Sequence, residues 1–207
     1  MPRTSPPDFW NRIARRYAER QMGNPEAYEA AMARVIAHLA PTDRMLELGC
    51  GTGSTALKLA PHVAQITASD YAGEMCAIAG ERIDQARATN VTALQASVDE
   101  ALTHGPFDVV CAFNLLHLLP DLPGTLAQIH SALPEGGRFI SKTVCLGGSL
   151  KYRAIVTALQ WAGVVPQMRF VTAEGLEAEI TGAGFAIIET GTYPAAPPGR
   201  LIVAEKR

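Results

Sequence analysis

Apolar positions along the chain fall into two alternating rhythms. Phe9, Trp10, Ile13 and Tyr17 stand at helical spacing within residues 8–21. Asn24-Pro25-Glu26 then has the chemistry of a helix start. Asn can cap, Pro suits the first turn, and an early acid complements the helix dipole. Tyr28, Met32, Val35, Ile36 and Leu39 make one apolar stripe, and Pro41 closes that helix. From there short apolar runs alternate with helical patterns. Arg44–Leu48, Gln65–Ser69, Val91–Ala96, Phe107–Phe113 and Gly137–Thr143 predict five strands. Between them, helices are expected up to about Ala60, from about Gly73 to Thr89, and through Leu122–Leu133. The run Phe107–Phe113 is apolar throughout, as a strand buried on both faces requires. Repeated strand–helix units imply a parallel sheet with helices on both sides.

The end of the chain breaks this rhythm. Residues 145–170 carry Tyr152, Ile155, Val156 and Leu159 at helical spacing, then Trp161 and a stretch with Gly and Pro. This predicts an insertion after the fifth strand. A helix from about Ala173 follows, with Thr172 as its cap. Two last strands, about 185–190 and 200–205, are joined by a Pro-rich loop too short for a crossover helix, so they should pair antiparallel.

Bulk composition narrows the class. The 207 residues suit one domain, and 48% hydrophobic with 18% charged residues is a globular balance. A net charge of −2 supplies no field that would draw the chain to nucleic acid. The arginines among residues 3–20 form a local basic cluster, read as a solvated helix face or as a contact for anions or a membrane. No apolar run approaches the roughly 18–20 residues that span a bilayer. Residues 1–20 lack the apolar centre of a signal peptide, so a cytoplasmic setting is expected. Cys50, Cys76, Cys111 and Cys145 show no metal-ligand spacing and read as free thiols.

The chemistry gathers where the strands end. In an open parallel sheet, ligands bind beyond the carboxyl ends of the strands. The first strand ends at Leu48, which puts Gly49-Cys50-Gly51-Thr52-Gly53 there. Glycines permit a tight turn and a close approach of ligand to backbone. The helix N–H groups beyond the loop can face a carboxylate. Glu47 precedes the turn, where an acid can meet an ammonium group. Asp70 ends the second strand, 19 residues after Gly51, where it can accept from both hydroxyls of a ribose. These features alone leave the cofactor open, because Gly51-Thr52-Gly53-Ser54-Thr55-Ala56 also fits the dinucleotide pattern GxGxxA.

Four motifs in order then point one way. Leu46-Glu47-Leu48-Gly49-Cys50-Gly51-Thr52-Gly53, Ala68-Ser69-Asp70-Tyr71-Ala72-Gly73-Glu74-Met75, Phe107-Asp108-Val109-Val110 through Asn114-Leu115-Leu116-His117, and Leu133-Pro134-Glu135-Gly136-Gly137 resemble the class I S-adenosylmethionine-dependent methyltransferases. Within that family the pattern is similar to the small-molecule types 11 and 12. The resemblance covers residues 40–143 and, more loosely, the C-terminus. It implies a Rossmann-like α/β fold: a seven-stranded, mostly parallel sheet with helices on both faces and an antiparallel C-terminal hairpin, in a single domain over 1–207. It implies S-adenosyl-L-methionine as cofactor and S-adenosyl-L-homocysteine as product, with no metal. It further implies that Glu47, Gly49, Cys50 and Gly51 hold the methionine end, Asp70 the ribose, and Tyr71 and Met75 the adenine. Ser97 and Val98 occupy the place of the adenine-ring contacts, with Asp99 able to reach the amino group. Asn114 and Leu115 close the site.

Acceptor-side residues are fewer. His117, three residues beyond Asn114, is the candidate general base, its alternative being a structural histidine. Tyr17 is either a positioning residue in an N-terminal helical lid over residues 1–40 or a core tyrosine. Phe9, Trp10 and Tyr28 read as packing residues. Tyr152, Trp161, Met168 and Phe170 make the 145–170 insertion an aromatic lid or a packed element. Cys145 reads as a small buried hydrophobe. An NPPY-like run, carried by many amino-group methylases of nucleic acids and proteins, is replaced here by Asn114-Leu115-Leu116-His117. The expected activity is therefore in-line methyl transfer to an O, S or N atom of a small molecule, with no nucleic-acid or membrane partner. The competing readings are an NAD(P)-dependent oxidoreductase, a phospholipid methyltransferase and a non-catalytic S-adenosylmethionine binder.

Overall fold

The computed structural model describes residues 6–20 and 23–207. Arg3 of the basic cluster and Gln21 at the end of the first predicted helix lie outside the described residues. The elements are α1 Pro6–Ala18, α2 Pro25–Ile36, β1 Arg44–Leu48, α3 Ser54–Leu59, β2 Gln65–Asp70, α4 Gly73–Ala86, β3 Val91–Gln95 and α5 Val98–Leu102. Then follow β4 Val109–Phe113, α6 Leu122–Ala132, β5 Arg138–Val144, α7 Leu150–Trp161, α8 Ala173–Gly182, β6 Phe185–Thr192 and β7 Gly199–Lys206. Asn24 and Thr172 cap their helices as expected. Asn24 Oδ1 accepts from the Ala27 N–H at 3.0 Å, and Thr172 Oγ1 from that of Gly175 at 3.0 Å.

The seven strands form one sheet in the order β3-β2-β1-β4-β5-β7-β6. β1 to β5 run parallel, and β7 pairs antiparallel with both β5 and β6. The C-terminal hairpin is thus present, with its second strand slotted beside β5. That order departs from the 3-2-1-4-5-6 of dinucleotide-binding sheets, which counts against the nicotinamide reading.

Strand alternation sends successive side chains to opposite faces. Leu46, Val110, Ala112 and Phe139 pack towards α5, α6 and α8 through Ala101, Leu126 and Leu176. Met45, Ile66, Ala68, Cys111 and Ile140 pack towards α2, α3 and α4 through Met32, Leu59 and Ile83. The sheet is therefore covered on both sides, which is why its central strands read as continuous apolar runs.

The helix α1 lies on α4. Ala14 is buried with Ala72, Met75 and Ile78, and Trp10 packs beside them. Arg15 forks onto Glu81 at 2.8 and 2.9 Å. Asn11 Oδ1 accepts from the Glu74 N–H at 3.0 Å, satisfying one of the free donors in the first turn of α4. Arg82 reaches from α4 to the Ala18 carbonyl at 2.8 Å, Thr52 Oγ1 at 2.7 Å and Ser54 Oγ at 2.7 Å. One guanidinium thereby ties the end of α1 to the glycine loop.

The insertion after β5 contains α7, which has no buried residue and leaves Trp161 91% exposed. Its base is fixed. The Arg169 N–H donates to the His117 carbonyl at 2.7 Å, and Gly147 N–H to that of Val171 at 2.8 Å. Two elements differ from the sequence expectation. Residues 98–102 form the helix α5, for which the sequence predicted no element, with Ser97 as its cap. The helix after β2 stops at Ala86, because Arg87 adopts a left-handed φ of 53°.

Candidate active site

The carboxyl ends of β1, β2, β3 and β4 line up on one rim, and backbone hydrogen bonds weld the loops together. Cys50 N–H donates to the Ser69 carbonyl at 2.8 Å, and Ala96 N–H to that of Asp70 at 3.0 Å. Asn114 N–H donates to the Lys142 carbonyl at 2.7 Å. Glu47, Gly49, Cys50, Gly51, Asp70, Tyr71, Ser97, Val98, Asn114 and Leu115 all sit on or beside this rim.

Gly49, Gly51 and Gly53 each hold a left-handed φ, of 66°, 55° and 76°. A Cβ on Gly49 would lie 2.9 Å from Leu115 Cδ1, and one on Gly53 3.0 Å from the Ala79 Cβ. Those two glycines let the loop pack on β4's exit and on α4. Gly51 is different: a Cβ there would meet nothing within 4 Å. Its bare face looks onto open space, where a ligand can approach the backbone.

Two carboxyls flank this loop. Asp70 is buried, and its oxygens accept from the N–H groups of Gly51 and Ala72, each at 2.9 Å. Burial raises its pKa above the ordinary carboxylate value, against the N–H donors of Ala72, Gly51 and Tyr71, which favour ionisation. A carboxylate offers about four acceptor positions, so its oxygens can still accept from a hydroxyl. Glu47 is only 2% exposed, and one carboxyl oxygen, Oε2, has no partner among the described residues. Burial first, and the nearby Asp70 charge second, push its pKa up to about 8, against the Ala56 N–H donor that favours ionisation. An orphaned buried carboxyl beside a glycine loop is complementary to an ammonium group. These residues fit the methionine and ribose ends of S-adenosylmethionine.

The other predicted positions have varied surroundings. Ser97 Oγ accepts from the Glu100 N–H at 3.3 Å as the cap of α5. Val98 packs against the core beside it. Asp99 lines a groove between α5 and α6 with Leu102 and Gln128. Met75 is buried under α1, whereas Tyr71 is partly exposed at the rim with Trp10 as its hydrogen-bond partner. Tyr17 is exposed, edge-on to Trp10 with ring centres 6.1 Å apart. Cys145 is buried, its Sγ 3.4 Å from the Thr143 carbonyl, in keeping with a small hydrophobe.

His117 lies in a 3-10 turn at Leu116–Leu118 and is 6% exposed. Burial pushes its pKa down to about 4, and its Nδ1 has no partner among the described residues. Lys142, at the carboxyl end of β5, drew no attention in the sequence. It is half-buried, and burial lowers its pKa. The signal was present: in Arg138-Phe-Ile-Ser-Lys-Thr-Val144, Lys142 falls on the same face as Ile140 and Val144.

Fold and rim together define a methyltransferase domain, and comparison with known proteins agrees. The model of the family described as "Methyltransferase domain" matches residues 16–190. The chain belongs to this family, within the class I S-adenosylmethionine-dependent methyltransferases. It is 26% identical over 183 residues to the highly reducing polyketide synthase lcsB of Purpureocillium lilacinum, covering 80% of this chain and 7% of that protein. It is 30% identical over 139 residues to a protein-L-isoaspartate O-methyltransferase of Koribacter versatilis, covering 67% of this chain and 58% of the relative. The chain thus spans a small part of the polyketide synthases it matches. Among solved structures, the N-methyltransferase NodS from Bradyrhizobium japonicum, in complex with S-adenosylhomocysteine, superposes with a TM-score of 0.72 at 18% identity. That superposition covers 96% of this chain and 99% of NodS.

Proposed function

We propose that the chain transfers a methyl group from S-adenosylmethionine to an oxygen, sulfur or nitrogen atom of a small-molecule acceptor, in the cytoplasm and without a nucleic-acid partner. The observation that carries this reading is the buried carboxyl of Glu47, half-satisfied, beside three left-handed glycines. When bound, S-adenosylmethionine supplies a methyl group on a sulfonium, an already activated leaving group. The residues here need then only bind, orient and exclude water. Glu47 takes the ammonium, the Gly51 backbone face lies along the methionine end, and Asp70 accepts from the ribose hydroxyls. Holding two reactants in line contributes on the order of 7–11 kcal/mol at best.

His117 serves this reaction as a positioning group. Efficient base catalysis wants a pKa near the working pH. An imidazole held at about 4 is neutral at pH 7 but a weak base. Its free Nδ1 is suited to a hydrogen bond with the acceptor. No helix among the described residues is long and apolar enough to cross a membrane. A second reading, methylation at a lipid surface, draws on one observation: Phe9, Arg12, Ile13, Arg16 and Val164 line a groove of about 390 Å³ between α1 and the end of α7, near the exposed Trp161. Co-sedimentation with anionic liposomes separates the two.

Calorimetric titration tests the main proposal. S-adenosylhomocysteine should bind in the micromolar range and NADPH should not bind. The reverse order of affinities would sink it, and failure of every acceptor screened to consume donor would leave a binding protein in its place.

A further inference from the structure

We infer that Lys142 anchors an acceptor that carries negative charge at the atom to be methylated: an oxyanion, such as a carboxylate or a phenolate. This rests on the donor site proposed above and assigns the side opposite Glu47.

Register fixes the relation between the two residues. Glu47 pairs with Cys111, and Phe113, two residues along β4, pairs with Lys142. Alternation places Glu47, Cys111, Phe113 and Lys142 on one face of the sheet, the face of α2, α3 and α4. Two strand spacings and one two-residue step separate Glu47 and Lys142, about 12 Å between Cα atoms. The lysine stem leans along β5 towards the rim and sideways towards β7, the side away from β4. Its Cε lies 3.5 Å from where a Cβ on Gly199 would stand, and Gly199 pairs with Val144, two residues beyond Lys142. No hydrogen bond or ion pair among the described residues reaches its ammonium. A half-buried cation without a counter-charge is costly, and an incoming anion removes that cost. Phe113, partly buried between the two charges, supplies an apolar wall.

This arrangement removes the need for a strong base. A cation beside an acidic acceptor favours its ionised form. The oxyanion's lone pair forms the new O–CH3 bond while the S–CH3 bond breaks and its electron pair stays on sulfur. No proton moves in that step, in keeping with the weak basicity of His117.

The test is titration of benzoate and benzamide into protein saturated with S-adenosylhomocysteine, for wild type, Lys142→Met and Lys142→Arg. Benzoate should bind at least tenfold more tightly than benzamide to wild type. Lys142→Met should abolish the difference, Lys142→Arg should keep most of it, and S-adenosylhomocysteine affinity should stay within twofold throughout. Equal binding of the two probes to wild type, or no binding of either, overturns the inference and leaves the donor reading intact. A tenfold loss of S-adenosylhomocysteine affinity in Lys142→Met also overturns it, because Lys142 would then hold the donor's own carboxylate. If S-adenosylhomocysteine fails to bind wild type, both fall.

Discussion

Removing the charge at Glu47 should stabilise the free protein and cripple donor binding, and both effects depend on pH in a calculable way. Its carboxyl titrates at about 8 when folded, against an ordinary value of 4.5. Between those values the unfolded chain gives up the proton and the folded one keeps it. Stability from this group is therefore greatest below pH 4.5 and falls as pH rises towards 8. The linkage amounts to about 1 kcal/mol at pH 5, about 3 kcal/mol at pH 7 and nearly 5 kcal/mol above pH 8, as an upper bound. Glu47→Gln keeps the acceptor for the Ala56 N–H and removes the titration. At pH 7 it should raise Tm by roughly 6–12 °C, and at pH 5 by only a few degrees. Donor binding runs the other way. An ammonium beside Glu47 selects its ionised form, so at pH 7 S-adenosylhomocysteine should release about 0.9 proton on binding. Its affinity should rise almost tenfold per pH unit up to about pH 8 and then level off. Calorimetry in two buffers of different ionisation enthalpy counts that proton. A flat affinity from pH 6 to 8.5, or equal melting of wild type and Glu47→Gln at pH 8, would refute the assignment of Glu47 as a buried, proton-coupled ammonium receptor.

Other substitutions probe the rim and its lid. Gly53→Ala places a Cβ 3.0 Å from Ala79 in a left-handed backbone, so urea unfolding should show a loss of about 1–3 kcal/mol. Gly51→Ala meets open space instead; its stability loss should be near 1 kcal/mol while S-adenosylhomocysteine affinity drops at least tenfold, and an unchanged affinity would move the ligand off the loop. Arg82→Met cuts the ties from α4 to Ala18, Thr52 and Ser54; hydrogen exchange in α1 should accelerate and S-adenosylhomocysteine should bind several-fold more weakly. Trp161→Ala removes a side chain 91% exposed, so Tm should move by less than a degree; a lid role for α7 predicts a raised acceptor KM with unchanged S-adenosylhomocysteine affinity.

The donor half was legible because backbone geometry dictates its residue types. A left-handed φ at residues 49, 51 and 53 demands glycine, and a strand that must end on paired N–H donors demands an acid at Asp70. Such demands leave a spaced pattern in the sequence. Strand β1 and the caps Asn24 and Thr172 were readable for the same local reason. Helix α5 was not, since five residues give no helical period. The insertion of β7 between β5 and β6 also left no trace, because strand order depends on which edge the hairpin meets. Nor does sequence spacing reveal that Met75 faces α1, as docking of α1 depends on Asn11, Arg15 and Arg82 finding partners about 60 residues away.

The acceptor half answers to a different constraint. Its residues act through side-chain charge and burial, which only the folded sheet determines. His117 is a candidate base by residue type, since imidazole ordinarily titrates near neutrality; burial in its turn lowers its pKa to about 4. Lys142 stands in no motif, yet burial lowers its pKa, so its charge is costly and suited to an anion. The two features reinforce each other. On the proposal above, a histidine of lowered pKa suits an acceptor that is already an anion, and the cation of Lys142 would favour one. The two ends of one sheet face would then take ligand groups of opposite charge. In the proposed arrangement the carboxyl of Glu47 ionises as it takes the donor's ammonium at one end, and Lys142 offers its cation to the acceptor at the other.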